Sequence, residues 1–472
     1  MPFLTPDAIA QIHDASLHLL ETVGVKVDHP TVFAKLRGAA ADCDADGVTV
    51  RFPRDLVAQS VARAPRNIKL ADRRGGCALV GADGGTVFWG GNALYLERHR
   101  QHVEITSAEL ARISRVMDAL DHVHGIVGTS VADYPPVARD FVSFRVMAEN
   151  STKHLRPCIF SGDGPTAIIE MAEAISDGAP LSERPIVSFG YSIVSPCHWP
   201  RTALDVYLNT TGYGLPATVN AEPLGGGTAP VTLAGLLTQA NAEALSGVVI
   251  LQVLEPGRPS VFNLGFAHML DMKVALATSG NVQDGMIAAA GAEIARYHGL
   301  PSASWLSSDN PICDAQSTLQ RALTGVLHAL GGVNIVWGLG QLETEKTLSL
   351  EQMVIDDEMI GQLLRAQRGI QVNEETIALD TLKQGLKTGD FLSLDHTLDH
   401  FREEVLPGDL LAPQRRDAWA AAGALDLVER ASQRVDEILA IPQEPTLTPD
   451  QRVKLREIEG KWLKRLGVDT SR

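Results

Sequence analysis

Eight times along its middle, the chain runs a short apolar strand into a helical pattern. Strands are expected near Thr86 to Trp89, Gly125 to Val131, Pro157 to Ser161, Ile186 to Tyr191, Ala217 to Asn220, Ser260 to Leu264, Ser302 to Leu306 and Asn334 to Trp337. Helices are expected to start near Ser107, Arg139, Pro165, Pro200, Pro230, Gln283, Asp314 and Ser349. Strands alternating with helices of this length pair in parallel through crossovers. Eight such units close into a (β/α)8 TIM barrel, so the fold class is α/β. A doubly wound open sheet competes with it, and the lack of GxGxxG after the first strand counts against that topology.

The flanks differ from this pattern. In an N-terminal α/β cap, 1–85, Thr5 before Pro6 is an N-cap with proline at N1, Val48 to Phe52 is a small strand, and Pro53 to Ala64 is a helix. Ala78 to Phe88 reads as a hairpin turned by Asp83, Gly84 and Gly85. The barrel occupies 86–368. A helical region, 369–472, has helices at Ala378 to Gln384, His396 to Glu404, Asp417 to Ala422, Leu425 to Ile438 and Asp450 to Leu466, expected to wrap the barrel. Its charged tail, EIEGKWLKRLGVDTSR, reads as a solvated amphipathic helix.

Composition removes several functions. A net charge of -16 argues against nucleic acid, whose binders need a basic footprint. Five cysteines lie far apart with no CxxC, which indicates neither a disulfide framework nor a zinc ribbon and fits a reducing cytoplasm. The N-terminus lacks the basic region and apolar core of a signal peptide, and no apolar run approaches the ~20 residues of a membrane helix. A cytoplasmic protein with no nucleic-acid or membrane partner is expected.

Chemistry is expected at the carboxyl ends of the strands, where barrels collect binding side chains. Residues 215–257 show this best: a β-branched strand ends in Asn220 and Glu222, then passes through Gly225, Gly226 and Gly227 into a long helix with Pro230 in its first turn. Three of the six tryptophans, Trp89, Trp305 and Trp337, fall at strand ends beside acids and amides. Together they resemble a cage for a quaternary ammonium, which has no N–H to donate and is held by π faces and carboxylates. Each tryptophan alone reads as core packing. Asp309 and Asp314 also read as turn and N-cap residues around Pro311, the favoured reading for Asp314, and Asn220 and Asn263 as loop ties. Cys197-His198 lacks partners for zinc, Gly225–Gly227 has no basic residue for phosphate, and GxSxG is absent.

The sequence resembles the trimethylamine methyltransferase family, in its branch without pyrrolysine. The likeness rests on IHDASLHLLETVGVKV, RFPRDLVAQSVARAP, ITSAELARISRVMDALDHV, PATVNAEPLGGGTAPVTLAGLLTQANAEAL, DAQSTLQRAL, LSLEQMVIDDEMI and FLSLDHTLDHFREE. It implies a barrel enzyme that takes a methyl group from a methylamine or a betaine-like quaternary amine and passes it to the cobalt(I) of a corrinoid (cobalamin) on a cognate corrinoid protein. The lack of pyrrolysine points away from trimethylamine itself. Glu222 and Asp309 are then the catalytic candidates, for cation capture or for fixing the backbone. Trp89, Asn220, Asn263, Trp305, Trp337, Gln316 and His154 are the substrate-binding candidates, and Asn92 and Gly225 to Gly227 the corrinoid contacts. No tightly bound metal is expected, and the chain is expected to form a homo-oligomer. Transfer to a folate, or betaine binding without catalysis, are the alternatives.

Overall fold

The computed structural model describes residues 2–405 and 408–468. At its centre are eight strands: β1 (Val87–Gly90), β2 (Val123–Val127), β3 (His154–Arg156), β4 (Phe189–Ser192), β5 (Ala217–Asn220), β6 (Ser260–Gly265), β7 (Ser302–Trp305) and β8 (Ile335–Leu339). They pair in the order β3-β2-β1-β8-β7-β6-β5-β4. Every pair is parallel. A parallel bridge from Leu155 to Val187, just ahead of β4, closes the ring. Helices α1 (Ser107–Ala119), α2 (Arg139–Asn150), α3 (Gly164–Ala174), α4 (Arg201–Asn209), α5 (Leu233–Leu254), α6 (Val282–His298), α7 (Ala315–Gly331) and α8 (Leu350–Gln367) surround it. The expected (β/α)8 barrel forms.

Three expectations are corrected. The third strand is His154–Arg156, not Pro157 to Ser161, because its alternate residues His154 and Arg156 face the barrel interior and leave no apolar alternation to read. α5 begins at Leu233 with Thr232 as N-cap, so Pro230 stays in the loop. The hairpin pairs Asn67–Ala71 with Cys77–Gly81. Its turn is closed by Asp72, whose Oδ1 accepts from the Arg74 and Gly76 amides at 2.8 and 2.6 Å. Asp83 to Gly85 merely lead into β1, since Val87 and Phe88 pair with Ile335 and Val336 of β8 instead.

The hairpin lies across the amino end of the barrel, where Ala71 N–H bonds the Pro185 carbonyl and Asn334 donates to the Gly81 carbonyl. Ile68, Leu70 and Val80 join Trp89, Val127, Val261, Phe266, Trp305, Ile335 and Trp337 in one interior cluster. A larger core fills the space between strands and helices.

The N-terminal helix Pro6–Thr22 has Thr5 as its cap, accepting from Ala8 N–H at 3.2 Å. It packs on α5, and the strand Val25–Val27 pairs in parallel with His198–Trp199. Trp199 staples this layer to the barrel by donating to Ser246 Oγ at 2.9 Å. Among the described residues α5 is long and apolar enough to cross a membrane, which the sequence reading did not register. It is instead buried between the N-terminal helices and β6. At the other end, α11 (Leu427–Ala440) packs on α8 and α1, and α12 (Pro449–Arg465) on α3 and α2. In chain order, α9 (Leu379–Thr388) and α10 (Asp395–Glu404) come between α8 and α11. The end of the charged tail, 469–472, lies outside the described residues.

Candidate functional site

The carboxyl ends of the strands surround a cavity of 260 Å³. Its walls include Phe266, Trp305, Trp337, Tyr191 and Phe160 together with acidic Glu222 and Glu345, while Arg156, Cys158, Asn220 and Asn92 supply polar atoms.

The three tryptophans come together, in unequal positions. Trp305 and Trp337, opposite each other in the β7–β8 register, line the cavity. Trp89 does not line it. Its ring lies nearly parallel to Trp337, centroids 5.6 Å apart, and to His154, 5.3 Å away. Gly125 makes room for it, since a Cβ there would stand 2.7 Å from the indole nitrogen. Phe266 meets Trp305 and Trp337 edge-on at 4.7 and 5.0 Å. Trp305 Nε1 donates to Gln341 Oε1, whose amide nitrogen donates to the Asn92 carbonyl. These contacts lock the aromatic wall before any ligand arrives.

A polar chain runs across three strand ends. Asn263 Nδ2 donates to Asn220 Oδ1 at 3.0 Å, Asn220 Nδ2 to Ser192 Oγ at 3.4 Å, and the Ser192 hydroxyl to Glu222 Oε1. Period-two geometry puts these side chains inward at one level. Glu222 is exposed to the cavity. The surrounding walls still withdraw it from bulk water, and against the Ser192 bond this desolvation, with Glu345 adding repulsion, pushes its carboxyl up to about 7.

Glu345 comes from the loop after β8 and ion-pairs with His268 at 3.5 Å, while Asp284 lies 3.9 Å from the other ring nitrogen. Burial disfavours a charged imidazole here, but the facing carboxylates of Asp284 and Glu345 outweigh it and lift His268 to about 10. Asp309 stands outside the cavity. It accepts from the Ser279 and Gly280 amides at 2.7 and 3.2 Å and from Thr344 Oγ1 at 3.0 Å, tying the loop before α6 to the one carrying Glu345.

The remaining candidates spread out. His154 is enclosed between the Ala71 carbonyl, at 3.1 Å, and Ser188 Oγ, at 2.9 Å, and burial pushes it down to about 4, so it is neutral. Gln316 lies exposed in the first turn of α7, where Asp314 is the N-cap. Leu224–Gly225 pairs with His268–Met269 in a small sheet above the rim, and Gly226 needs its φ of 90° for the turn that follows. The loop therefore does not open a helix. His198 Nε2 lies 2.6 Å from Asp28 Oδ2, and among the described residues no group of three or more His, Cys, Asp or Glu is placed for a metal.

The sequence reading missed Arg156, Glu345, His268 and Phe266. Arg156 is the most consequential. Buried on β3, it donates to the Pro157 carbonyl at 2.7 Å and Thr218 Oγ1 at 3.2 Å, and its guanidinium lies 5.6 Å from the Trp337 centroid. Among the described residues no carboxylate is within ion-pairing distance of it. Burial lowers its pKa, yet a guanidinium stays charged near neutral pH.

A closed parallel barrel with a preformed cavity at the carboxyl ends of its strands is the architecture of a (β/α)8 enzyme. A family model described as Trimethylamine methyltransferase (MTTB) matches residues 1–461, and the chain belongs to that family of methyltransferases. It is 30% identical over 436 residues to the trimethylamine methyltransferase MttB of Desulfitobacterium hafniense (strain DSM 10664 / DCB-2), covering 91% of this chain and 87% of that one. It is 25% identical over 475 residues to the glycine betaine methyltransferase of Desulfitobacterium hafniense (strain Y51), covering 99% and 98%. The crystal structure of the Methanosarcina barkeri monomethylamine methyltransferase (MtmB) shares the fold, with a TM-score of 0.57 at 12% identity over 93% of this chain and 90% of that one.

Proposed function

We propose that the protein transfers a methyl group from a quaternary amine bearing a carboxylate, a betaine, to the cobalt(I) of a corrinoid carried by a separate protein. The observation that carries the substrate class is the buried, carboxylate-free Arg156 on a cavity that Glu222 and Glu345 also line. Keeping an unpaired guanidinium out of water costs several kcal/mol unless an anion meets it. A zwitterion satisfies both ends at once, its carboxylate on Arg156 and its ammonium against Trp305, Trp337 and the acids.

The residues fit the transfer. A quaternary nitrogen leaves as a neutral tertiary amine, so no proton donor is required. Positive charge on nitrogen is lost as the methyl departs, so a carboxylate pressed against it favours the bound substrate over the transition state. Glu222 therefore serves capture, and the rigid aromatic wall serves alignment. The mouth, with exposed Phe160 and the Gly226–Gly227 turn, leaves room for a macrocycle to approach. A reduced corrinoid there would supply the nucleophile for the methyl carbon.

The test is to mix the anaerobic protein with cobalt(I) cobalamin and, in turn, glycine betaine, carnitine, proline betaine, choline and trimethylamine, following methylcobalt(III). A carboxylated amine is expected to react while choline and trimethylamine do not; the reverse pattern would sink the assignment. Arg156→Met should weaken binding of the reactive betaine by about a hundredfold, the worth of a charge-assisted pair in a dry site, and leave binding of choline unchanged. Calorimetry reads both.

A further inference from the structure

Barrel helix α7 turns Arg321, Thr324, Gly325 and His328 inward and leaves Leu319, Leu323, Val326 and Leu330 exposed, Leu330 by 67%. These four are spaced four, three and four residues apart. That is the seam along which two helices pack. The same spacing recurs later in the chain: Leu379, Leu382 and Leu386 in α9, and Leu398, Phe401 and Val405 in and just after α10, are exposed as well, Leu386 by 78%. The segment 370–405 folds back on itself, with Phe391 seated where Gly385 has no Cβ, 2.4 Å from where one would stand. Only Gly385 is buried in α9, and no residue in α10.

Helices of ten residues are marginal in water on their own, so an arm of this composition needs a surface. Fifteen large apolar side chains of α7 and 370–405 are exposed, Ile370 by 90% and Leu392 by 85%, the kind of surface that marks an interaction site.

We infer that the arm 370–405 docks on α7 of a second copy of this chain, and that the copy's arm does the same in return. Both halves of the seam belong to one sequence, and each is left bare by its own barrel, so a two-fold arrangement covers both at once. The only charged or titratable side chains of α7, Arg321 and His328, are buried, which gives a charged partner nothing to pair with. The place also argues against a methyl acceptor as occupant. The arm leaves α8 beside Gln367, which donates to Thr86 Oγ1 and the Ala329 carbonyl at the amino end of the barrel, opposite the cavity mouth.

Light scattering on a size-exclusion column, over a concentration series, should give at least twice the chain mass for the full-length protein. Leu386→Glu and Leu323→Glu should each reduce that to one chain mass, with circular dichroism unchanged. Mixing Cys77→Ser/Leu323→Cys with Cys77→Ser/Leu386→Cys, which removes the exposed Cys77 from both, should yield a disulfide-linked pair under mild oxidation. A single chain mass at every concentration would overturn the inference. So would an oligomer unmoved by both glutamates, or a chain carrying both new cysteines that links only to itself.

Discussion

Glu222 holds its proton more tightly than an ordinary carboxyl, at about 7. Below that pH the neutral form prevails and draws a cation poorly. Substrate affinity is therefore expected to rise with pH through about 7 and then level off, as calorimetry between about pH 6 and about pH 8 would show. Glu222→Gln should flatten the profile and raise KM roughly three- to tenfold with kcat held, the mark of lost capture without lost transition-state contact. For stability the sign is opposite. A raised carboxyl costs nothing below the free value of ~4.3, and its cost is complete above about 7. Glu222 was legible in the sequence because an acid between a strand end and a glycine turn has few structural duties. Arg156 was not, because a cation flanked by His154, Leu155 and Pro157 looks like a loop until the barrel closes around it. Asp309 has the right residue type at a strand end but spends its oxygens on loop amides, which only coordinates reveal.

At the scale of elements, the barrel depends on α5 lying close against β5. A Cβ at Gly247 would stand 2.3 Å from Val219 Cγ1 and 2.6 Å from Trp199 Cζ2. Gly247→Ala is expected to destabilise by about 1–3 kcal/mol through overpacking, read from the urea midpoint. The rim loops depend on another device, His268 between Asp284 and Glu345. Its raised value means that this clamp's stability is present in full below the free imidazole value of ~6.5 and is lost as pH rises through about 10. His268→Gln should remove that alkaline step from a pH series of thermal melts. Parallel strands covered on both faces read as apolar runs, which is why seven of the eight strands overlap their expected positions. The exception is β3, whose polar alternate residues point inward. The hairpin was misplaced because Asp83-Gly84-Gly85 carries the usual turn chemistry, while the pairing that formed is set by what plugs the barrel.

The molecule as a whole is held by charges that never see solvent. Arg321 of α7 meets Asp356 of α8 at 2.6 and 2.5 Å and donates to the carbonyls of Leu306, Gly338 and Gln341, so one side chain joins two helices to two strand ends. Arg321→Ala strands Asp356 in the interior and should cost about 3–5 kcal/mol in a denaturant titration, more than any single surface ion pair here. The hairpin at the barrel's amino end acts on another quantity, traffic. Ile68, Leu70 and Val80 stopper that end, and the cavity lies at the other, at the carboxyl ends of the strands. Under the proposed function, a demethylated amine leaves by the rim its parent entered, and the protein that receives the methyl group stands at that same rim. On that reading each docking delivers one methyl group, so the rate at which the visitor steps away sets a ceiling on turnover, however fast the chemistry behind it.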